Sequence, residues 1–154
     1  MKNNLLKTVV ILSLMFGFMS CSNDDDNNND TLIEFGELPT VTQNFINTHF
    51  PDADVLRIEE DNTPANGDDY YEVKLSNGFE LDFNADGEWT DIDGNGNRIP
   101  DAIIPEAILT YTNANHNSNF IDGIEKKSYG YKIELNNDLD LKFDAEGTYI
   151  GIDN

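Results

Sequence analysis

The segment from Asp91 to Asp101 has the residue types and spacing of a loop that binds a hard cation. Asp91, Asp93 and Asn95 stand at alternate positions, and a glycine follows the third of them. An EF-hand calcium loop begins in this way, because alternate oxygen ligands surround the ion and the glycine permits a sharp turn. The bidentate acid at the twelfth position is missing, since Ala102 stands there. We predict either a shorter calcium loop that closes on Asp101 or a plain linker, which also favours Asp, Asn, Gly and Pro.

A second set of candidate residues lies where charged side chains alternate with apolar ones. In a strand this alternation places the charged side chains on one face of the sheet. Mixed charges with aromatic residues are typical of a protein-binding face, although a merely solvated face has the same pattern. The predicted partner-binding residues are Tyr70, Glu72, Lys74, Glu80, Asp82, Trp89, Lys132, Glu134, Asp140 and Lys142.

Few side chains are available for catalysis. The chain has two histidines and one cysteine. His49 and His116 fall near the ends of predicted helices, where a histidine complements the helix dipole. Neither has a cysteine, or a serine in a nucleophile-elbow setting, in its local sequence, and no glycine-rich phosphate loop follows a strand. We predict that the protein is not an enzyme and that it has no cofactor apart from the calcium considered above.

The charge of the chain restricts its partners. The 154 residues carry 30 Asp and Glu against 9 Lys and Arg, a formal net charge of −21. Such a chain repels the phosphates of a nucleic acid and an anionic membrane surface. The expected partner is therefore a protein, and any contact with a membrane requires a covalent lipid.

The first 20 residues are typical of a lipoprotein signal peptide. Lys2 and Lys7 precede an apolar run from Val9 to Met19, which is too short to span a bilayer. Ser20 then precedes Cys21, the only cysteine, and this junction resembles a bacterial lipobox in which the cysteine is lipidated. The alternative is a signal peptide that is cleaved nearby and leaves a free thiol.

Residues 21–36 are predicted to be an acidic, disordered tether. Ser22 to Asp30 contains no apolar side chain and therefore has nothing to bury. Its Asp24–Asp26 cluster resembles the acidic signals that export some Gram-negative lipoproteins to the cell surface. We predict a protein that is lipid-anchored in the outer membrane and surface-exposed, with a periplasm-facing anchor as the alternative.

An internal repeat organises the remaining residues. Leu38-Pro39 recurs at Ile104-Pro105, and Tyr71–Leu75 recurs at 131–135, with one gap that falls at residues 61–66 of the first copy. The pattern predicts repeat 1 over residues 37–93, a linker over 94–103 and repeat 2 over 104–154. Each copy begins with a helix-starting proline and continues with four strand-like runs joined by turns rich in Asn, Asp and Gly. The predicted fold is α+β, a tandem repeat of a short helix packed on a four-stranded antiparallel meander.

Specific motifs in the first copy resemble those of PepSY-like, β-lactamase-inhibitor-like proteins. They are Leu38-Pro39 before a short helix, Phe50-Pro51-Asp52-Ala53, the Tyr71–Leu75 strand and the Phe83-x-x-Asp-Gly-Glu-Trp89 turn. The second copy departs from them at Asn117 and at Thr148-Tyr149. The resemblance covers residues 37–153 and implies tandem α+β units with a polar, concave sheet surface. It does not identify a target, because fold alone does not determine function.

These observations together predict an exported, non-catalytic protein-binding module. The resemblance implies a role as an inhibitor of a secreted or periplasmic enzyme such as a peptidase. The alternative is a calcium-binding or structural acidic protein of the cell envelope that inhibits nothing.

Overall fold

A computed structural model describes residues 30–62 and 69–153 of the chain. The expected signal peptide, Cys21 and the first nine residues of the tether lie outside these ranges. The described ranges contain two α-helices, α1 (Thr40–His49) and α2 (Glu106–Asn115), and a short 3-10 helix at Phe35–Glu37. The nine strands are β1 (Asp30–Leu32), β2 (Val55–Asp61), β3 (Tyr71–Leu75), β4 (Glu80–Phe83), β5 (Trp89–Asp93), β6 (Ile121–Lys127), β7 (Gly130–Leu135), β8 (Leu139–Asp144) and β9 (Tyr149–Ile152).

The nine strands form one sheet in which each strand is antiparallel to the strands beside it in sequence. Helix α1 precedes β2–β5 and helix α2 precedes β6–β9, so a helix is followed by four strands in both halves of the chain. Pairing of β5 with β6 joins the halves into a continuous sheet. The predicted α+β class, with an antiparallel sheet and two short helices, is confirmed. Neither helix in the described ranges has the length and apolar character needed to cross a membrane.

Both helices pack on one face of the sheet, and that face holds the core. The ring of Phe45 in α1 meets Phe83 edge-on at 5.8 Å, and Tyr111 in α2 meets Phe143 in the same way at 5.4 Å. Strand alternation brings the apolar side chains to this face, where most are removed from water. The fully buried strand residues are Val73, Leu81, Phe83, Ile92, Ile133, Leu141 and Phe143.

The segment between the halves contributes to the core, which its polar composition did not indicate. Ile99 is completely buried, and Ile103 and Ile104 are nearly so. The N–H of Ile99 donates to the carbonyl of Ile121 at 2.9 Å and so fixes the segment against β6. The predicted linker, with the adjoining Ile104, therefore contributes an apolar plug, which consists of Ile99, Ile103 and Ile104 and packs in the core between the two halves.

Residues 30–36 differ from the disordered tether expected over residues 21–36. Strand β1 pairs with β2, with Thr31 opposite Glu60 and Leu32 opposite Glu59. Ile33 and Phe35 pack against the core. The apolar side chains at the end of the predicted tether give these residues surface to bury, which the preceding polar run lacks.

Each helix lies very close to a glycine at a hairpin turn. Gly87 and Gly147 follow β4 and β8, with φ angles of +82° and +81°. A Cβ atom on Gly87 would lie 2.7 Å from Cβ of Pro39 and 2.7 Å from Oγ1 of Thr42. The buried hydroxyl of Thr42 donates to the carbonyl of Gly87 at 3.0 Å. Glycine is therefore required there both for the backbone angle and for the close approach of the helix.

We expect Gly87→Ala to lower the free energy of unfolding by about 2 kcal/mol or more, because the left-handed angle alone costs about 1–2 kcal/mol and the helix must also move. The control is Gly36→Ala, since Gly36 is exposed and has no atom within 4 Å of a Cβ placed on it. Its effect should stay within about 0.5 kcal/mol. Urea unfolding measures both variants, and equal effects would contradict this account of the turn.

Candidate functional site

The sheet face opposite the helices carries most of the predicted partner-binding residues. We call it the open face. Cross-strand pairs on it include Glu72 with Asp82, Lys74 with Glu80, and Glu134 with Asp140. Lys132 and Lys142 are also opposite each other on this face. The structure therefore brings eight of the ten predicted residues onto one surface, as the alternation in sequence predicted.

A row of five carboxylates crosses the open face. The strand registers place Glu59 opposite Glu72, Glu72 opposite Asp82, Asp82 opposite Asp91, and Asp91 opposite Glu125. We call this row the acidic ridge. The Cα atoms of directly opposite residues in antiparallel strands lie about 4.5–5.5 Å apart, and side chains of like charge in such pairs destabilise the sheet. The ridge extends from β2 to β6 and is therefore a product of the whole sheet.

Neighbouring cations neutralise the ends of the acidic ridge but not its centre. Arg57 lies 2.6 Å from Glu59, Lys74 lies 3.1 Å from Glu72, and Lys127 pairs with Glu125. Within residues 30–62 and 69–153, no basic side chain forms an ion pair with Asp82 or Asp91. The two central aspartates are thus held together without a counter-charge.

The pKa values of both central carboxyls are raised by their surroundings. Burial raises the pKa of Asp82 from 3.8 to about 7, with further contributions from the negative charges of Asp69 and Asp91. Burial likewise raises the pKa of Asp91 from 3.8 to about 6, followed by repulsion from Glu125 and Asp93. Removal from water and repulsion act in the same direction, because both disfavour the charged form. The surroundings of both carboxyls therefore disfavour two negative charges at the centre of the ridge.

The two aromatic residues predicted for this face have different positions. Tyr70 lies at its edge, in a recess of about 290 Å³ that is also lined by Asp61, Asp69 and Glu72. A hydrogen bond with Glu60 raises the pKa of the Tyr70 hydroxyl. Trp89 pairs with the core residue Phe83 at a bulge.

The Trp89 ring packs against the core, and Nζ of Lys126 lies 4.1 Å from its centre. The bulge therefore places Trp89 on the side of the helices, away from the acidic ridge.

The four residues of the predicted calcium loop do not form one cage. Asp91 and Asp93 lie on β5, whereas the N–H of Asn95 donates to the Asp93 carboxylate at 2.6 Å in the following turn. The side-chain amide of Asn95 donates to the carbonyl of Gly78 at 2.9 Å, and Asp101 pairs with Arg98 at 3.0 Å. Among the described residues, no group of three or more His, Cys, Asp or Glu has the arrangement of a metal site.

A small recess lies instead on the open face where β5 meets β6. It has a volume of about 70 Å³, and its lining includes the acidic residues Asp91, Asp93, Glu125 and Glu134 together with Lys132. Gly123 leaves this space free, because a Cβ there would lie 2.9 Å from Cβ of Glu134. The strand alternation of Asp91 and Asp93 with buried Ile92 was the signal in the sequence that placed both acids on this face.

The histidines take part in packing at the helix ends. The His49 ring lies 4.6 Å from Phe45, and His116 lies 6.1 Å from Tyr111 at the equivalent place in the second half. Burial lowers the pKa of His49, which favours its neutral form. Both contacts fit a structural role at the end of a helix.

Comparison with known proteins gives one family and several solved structures. A family model described as "Putative beta-lactamase-inhibitor-like, PepSY-like" matches residues 26–66 and 69–151. A search of curated proteins gives no match.

Three solved structures share both the fold and about a third of the sequence. A Bacteroides vulgatus protein described as a "putative periplasmic protein" of the DUF2874 family is 32% identical, with a TM-score of 0.75 over 84% of this chain and 100% of its own. A Bacteroides thetaiotaomicron protein described as a "putative calcium-regulated periplasmic protein" is 33% identical, with a TM-score of 0.74 over 81% and 97%. A second Bacteroides vulgatus protein, described as a "putative periplasmic protein of unknown function", is 32% identical, with a TM-score of 0.75 over 81% of this chain and 99% of its own.

The raised pKa values predict how Asp82→Asn changes stability with pH. A group whose pKa is higher in the folded state than 3.8 stabilises the fold at low pH, and this stabilisation is lost as the pH rises through about 7. At pH 8 we expect Asp82→Asn to raise the free energy of unfolding by about 1–2 kcal/mol after allowance for solvent screening.

The gain should disappear below the ordinary carboxyl value of 3.8, where Asp82 is neutral in both states. Asp86→Asn is the matched control, because Asp86 is exposed in a turn and has the same charge change. Urea unfolding at intervals between about pH 3 and 8 tests this, and a loss of stability in Asp82→Asn at pH 8 would refute the assignment.

Proposed function

Because the chain belongs to the PepSY-like, β-lactamase-inhibitor-like family, we propose that it is an exported, non-catalytic protein-binding module. In this proposal the open face covers a surface of another exported protein, and an enzyme such as a peptidase is the partner class that the inhibitor-like description favours. The description belongs to the family model and does not identify the target. Inhibition would follow from occlusion, because a rigid sheet that covers an active-site entrance excludes substrate without any chemistry of its own.

The observation that carries this proposal is the uncompensated centre of the acidic ridge. Asp82 and Asp91 are neighbours on an exposed sheet face, and their pKa values of about 7 and 6 record the cost of holding both charges there. A lysine or arginine from a partner relieves that cost, because it supplies the missing counter-charge in a partly desolvated site. The proposed partner surface is therefore basic, with at least one cationic side chain that reaches the β4–β5 pair.

The rest of the open face supports a protein partner rather than a small ligand. The recesses on it are shallow and polar, whereas small-molecule sites are usually deeper and lined by apolar groups. Lys132 and Lys142 continue the row of the acidic ridge beyond Glu125, so the face changes sign along its length. Such a pattern orients a partner of complementary charge and favours rapid association.

We further propose that the two halves are tandem copies of one unit. Equivalent contacts in the two halves support this. Ile92 is opposite Leu81 in the first half, and Ile152 is opposite Leu141 in the second. The edge-on contacts of the two helices with Phe83 and Phe143 are also equivalent. Duplication enlarges the open face without a new fold, which suits a binding surface.

The proposed location is the outer membrane, through a lipid on Cys21. The related structures are described as periplasmic proteins, which supports export. The signal peptide over residues 1–20, the polar run after Cys21 and the surface-exposed orientation are inferred from sequence alone, with a periplasm-facing anchor as the alternative. An acidic tether would hold the acidic module away from the anionic membrane.

Calcium binding is the second candidate function, favoured by the recess beside Gly123. Asp91, Asp93, Glu125 and Glu134 line it, and carboxylates are preferred calcium ligands, so calcium would have to draw these side chains together from positions in which no three form a metal site. One of the related proteins is described as calcium-regulated. The two candidates share Asp91, so calcium bound there would compete with a basic partner or regulate its binding.

Replacement of Cys21 tests the anchor. We expect Cys21→Ser to move the protein from the membrane fraction to the aqueous fraction of a cell extract, because no second lipid-accepting thiol exists in the chain. The control is Ser22→Ala, which should remain in the membrane fraction. Unchanged membrane association of Cys21→Ser would contradict lipid anchoring.

Capture of partners from envelope extract tests the binding face. With Cys21→Ser as the soluble bait, we expect Asp82→Asn/Asp91→Asn to reduce capture of a specific exported protein by about tenfold or more, equivalent to about 1.4 kcal/mol. The matched control is Asp52→Asn/Asp86→Asn, which removes two exposed charges elsewhere. Because loss of the central charges should stabilise the fold, reduced capture cannot be attributed to unfolding.

Repeating the capture with calcium and with EDTA separates the two candidates. Capture that is insensitive to calcium but falls as salt is added supports a direct basic contact. Capture that requires calcium, with calcium binding by calorimetry lost in Asp93→Asn, supports the second candidate. Equal capture by the double variant and its control would exclude the acidic ridge from binding.

A further inference from the structure

The two edge strands of the sheet, β1 and β9, differ in length and in the exposure of their apolar side chains. At one edge β1 pairs with β2 and covers part of it. At the other edge β9 pairs only with β8, and within residues 30–62 and 69–153 nothing pairs with its outer side. Ile150 and Ile152 on β9 are 55% and 50% exposed. An apolar edge strand with free backbone groups is a template for the addition of another strand.

Strand β5 has the same register with its preceding strand as β9 has, but another strand covers its outer side. Ile92 lies opposite Leu81 as Ile152 lies opposite Leu141, with a bulge at the same place before each. Ile92 is also opposite Ile124 of β6 on its other side, and it is completely buried. Ile152 has no such neighbour and is half exposed. The sequence of β9 thus carries an isoleucine suited to a covered edge.

The sequence of β9 is complementary to itself in the antiparallel direction. If two copies of β9 pair about Gly151, Ile150 of each copy lies opposite Ile152 of the other. Apolar cross-strand pairs of this kind stabilise a sheet, and a two-fold arrangement forms both at once. A Cβ on Gly151 would have no atom within 4 Å, so a side chain placed at this position meets no obstruction within the protomer.

The distribution of charge also favours a second copy at this edge. Two chains of net charge −21 repel each other, so they must meet where charge is balanced. Near β9, Lys132 pairs with Asp140 and Lys142 pairs with Asp153, both at 2.8 Å. The unpaired Asp91 lies four strands away, about 19 Å, which exceeds the Debye length of about 8 Å in physiological salt.

The opposite edge is less suited to a second copy. Asp30 is opposite Asp61 there, and burial together with the charges of Asp61 and Glu59 raises the pKa of Asp30. Strand β1 also occupies the backbone groups of Glu59 to Asp61 that an incoming strand would need. Strand β1 is itself only three residues long and carries Asp30, so head-to-tail addition of copies is less favourable than two-fold pairing at β9.

We propose that β9 pairs with β9 of a second copy about a two-fold axis at Gly151, and that the two sheets become one continuous sheet. The dimer presents both open faces side by side and places the two acidic ridges at its outer ends. A strand of four residues makes a small contact, so the dimer is expected to be weak and to form at high local concentration.

The test uses the chain without the predicted signal peptide, residues 21–154, with Cys21→Ser, which leaves no other cysteine. Sedimentation equilibrium up to about 500 µM should show the weight-average mass rising toward twice that of the monomer. Ile150→Lys/Ile152→Lys should keep the monomer mass throughout. Leu32→Lys/Leu56→Lys is the matched control at the other edge, where these leucines are 66% and 68% exposed, and it should dimerise like the parent.

A cross-link tests the axis itself. Gly151→Cys in the same background should form a disulfide-linked dimer on mild oxidation, because paired Cα atoms at the axis lie within the range of about 4.4–6.8 Å that a disulfide requires. Gly36→Cys should not. A parent chain that stays monomeric, a mass that grows beyond the dimer, or loss of the dimer only in the leucine variant would each overturn the proposal.

Discussion

The structure depends on the pairing of β5 with β6. Only three residue pairs form it, Asp91 with Glu125, Ile92 with Ile124, and Asp93 with Gly123. A helix with four short strands is close to the lower limit of a stable domain, so each half gains from sharing its core with the other. The pairing removes Ile92 and Ile124 almost completely from water, and the plug around Ile99 closes the gap beside it. It also forces Asp91 against Glu125 on the opposite face, because neighbouring residues of a strand point to opposite sides.

The burial that stabilises the core therefore creates the electrostatic cost of the open face. Asp82 and Asp91 cannot move apart without breaking the register that buries Leu81 and Ile92 beside them. A cost of this kind is common at binding sites, where a partner removes it and the free protein tolerates it. Such an arrangement makes stability and binding respond to the same charges in opposite directions. Protonation relieves the free protein and weakens its attraction for a cation.

Equivalent sequences in the two halves acquire different roles from their surroundings. Ile92 belongs to the core and Ile152 to an exposed edge, although their register with the preceding strand is the same. On the open face the first half carries the acidic ridge, whereas Lys132 and Lys142 bring the second half closer to neutrality. Position along the sheet thus places an acidic ridge on one part of the structure and an uncovered apolar edge on another.

The alternation of apolar and charged residues by itself determined the class of the fold, the faces of the middle strands and most of the residues on the open face. Val73, Leu81 and Phe83 are buried as their spacing indicated. Side chains alternate between the two faces of a strand, so once the apolar face is buried the face of every residue is fixed. The sequence also showed that little catalytic chemistry was available. These properties are local, and neighbours along the chain decide them.

Only the tertiary structure decided which charges meet. The spacing of Asp91, Asp93 and Asn95 fits a cation loop, but pairing across strands places Asp91 between Asp82 and Glu125 and leaves Asn95 in a turn. A bulge turns Trp89 toward the helices, and packing draws Ile99 from an apparent linker into the core. Each outcome depends on residues far apart in sequence, whose separation is set by strand register and by the burial that the whole sheet achieves.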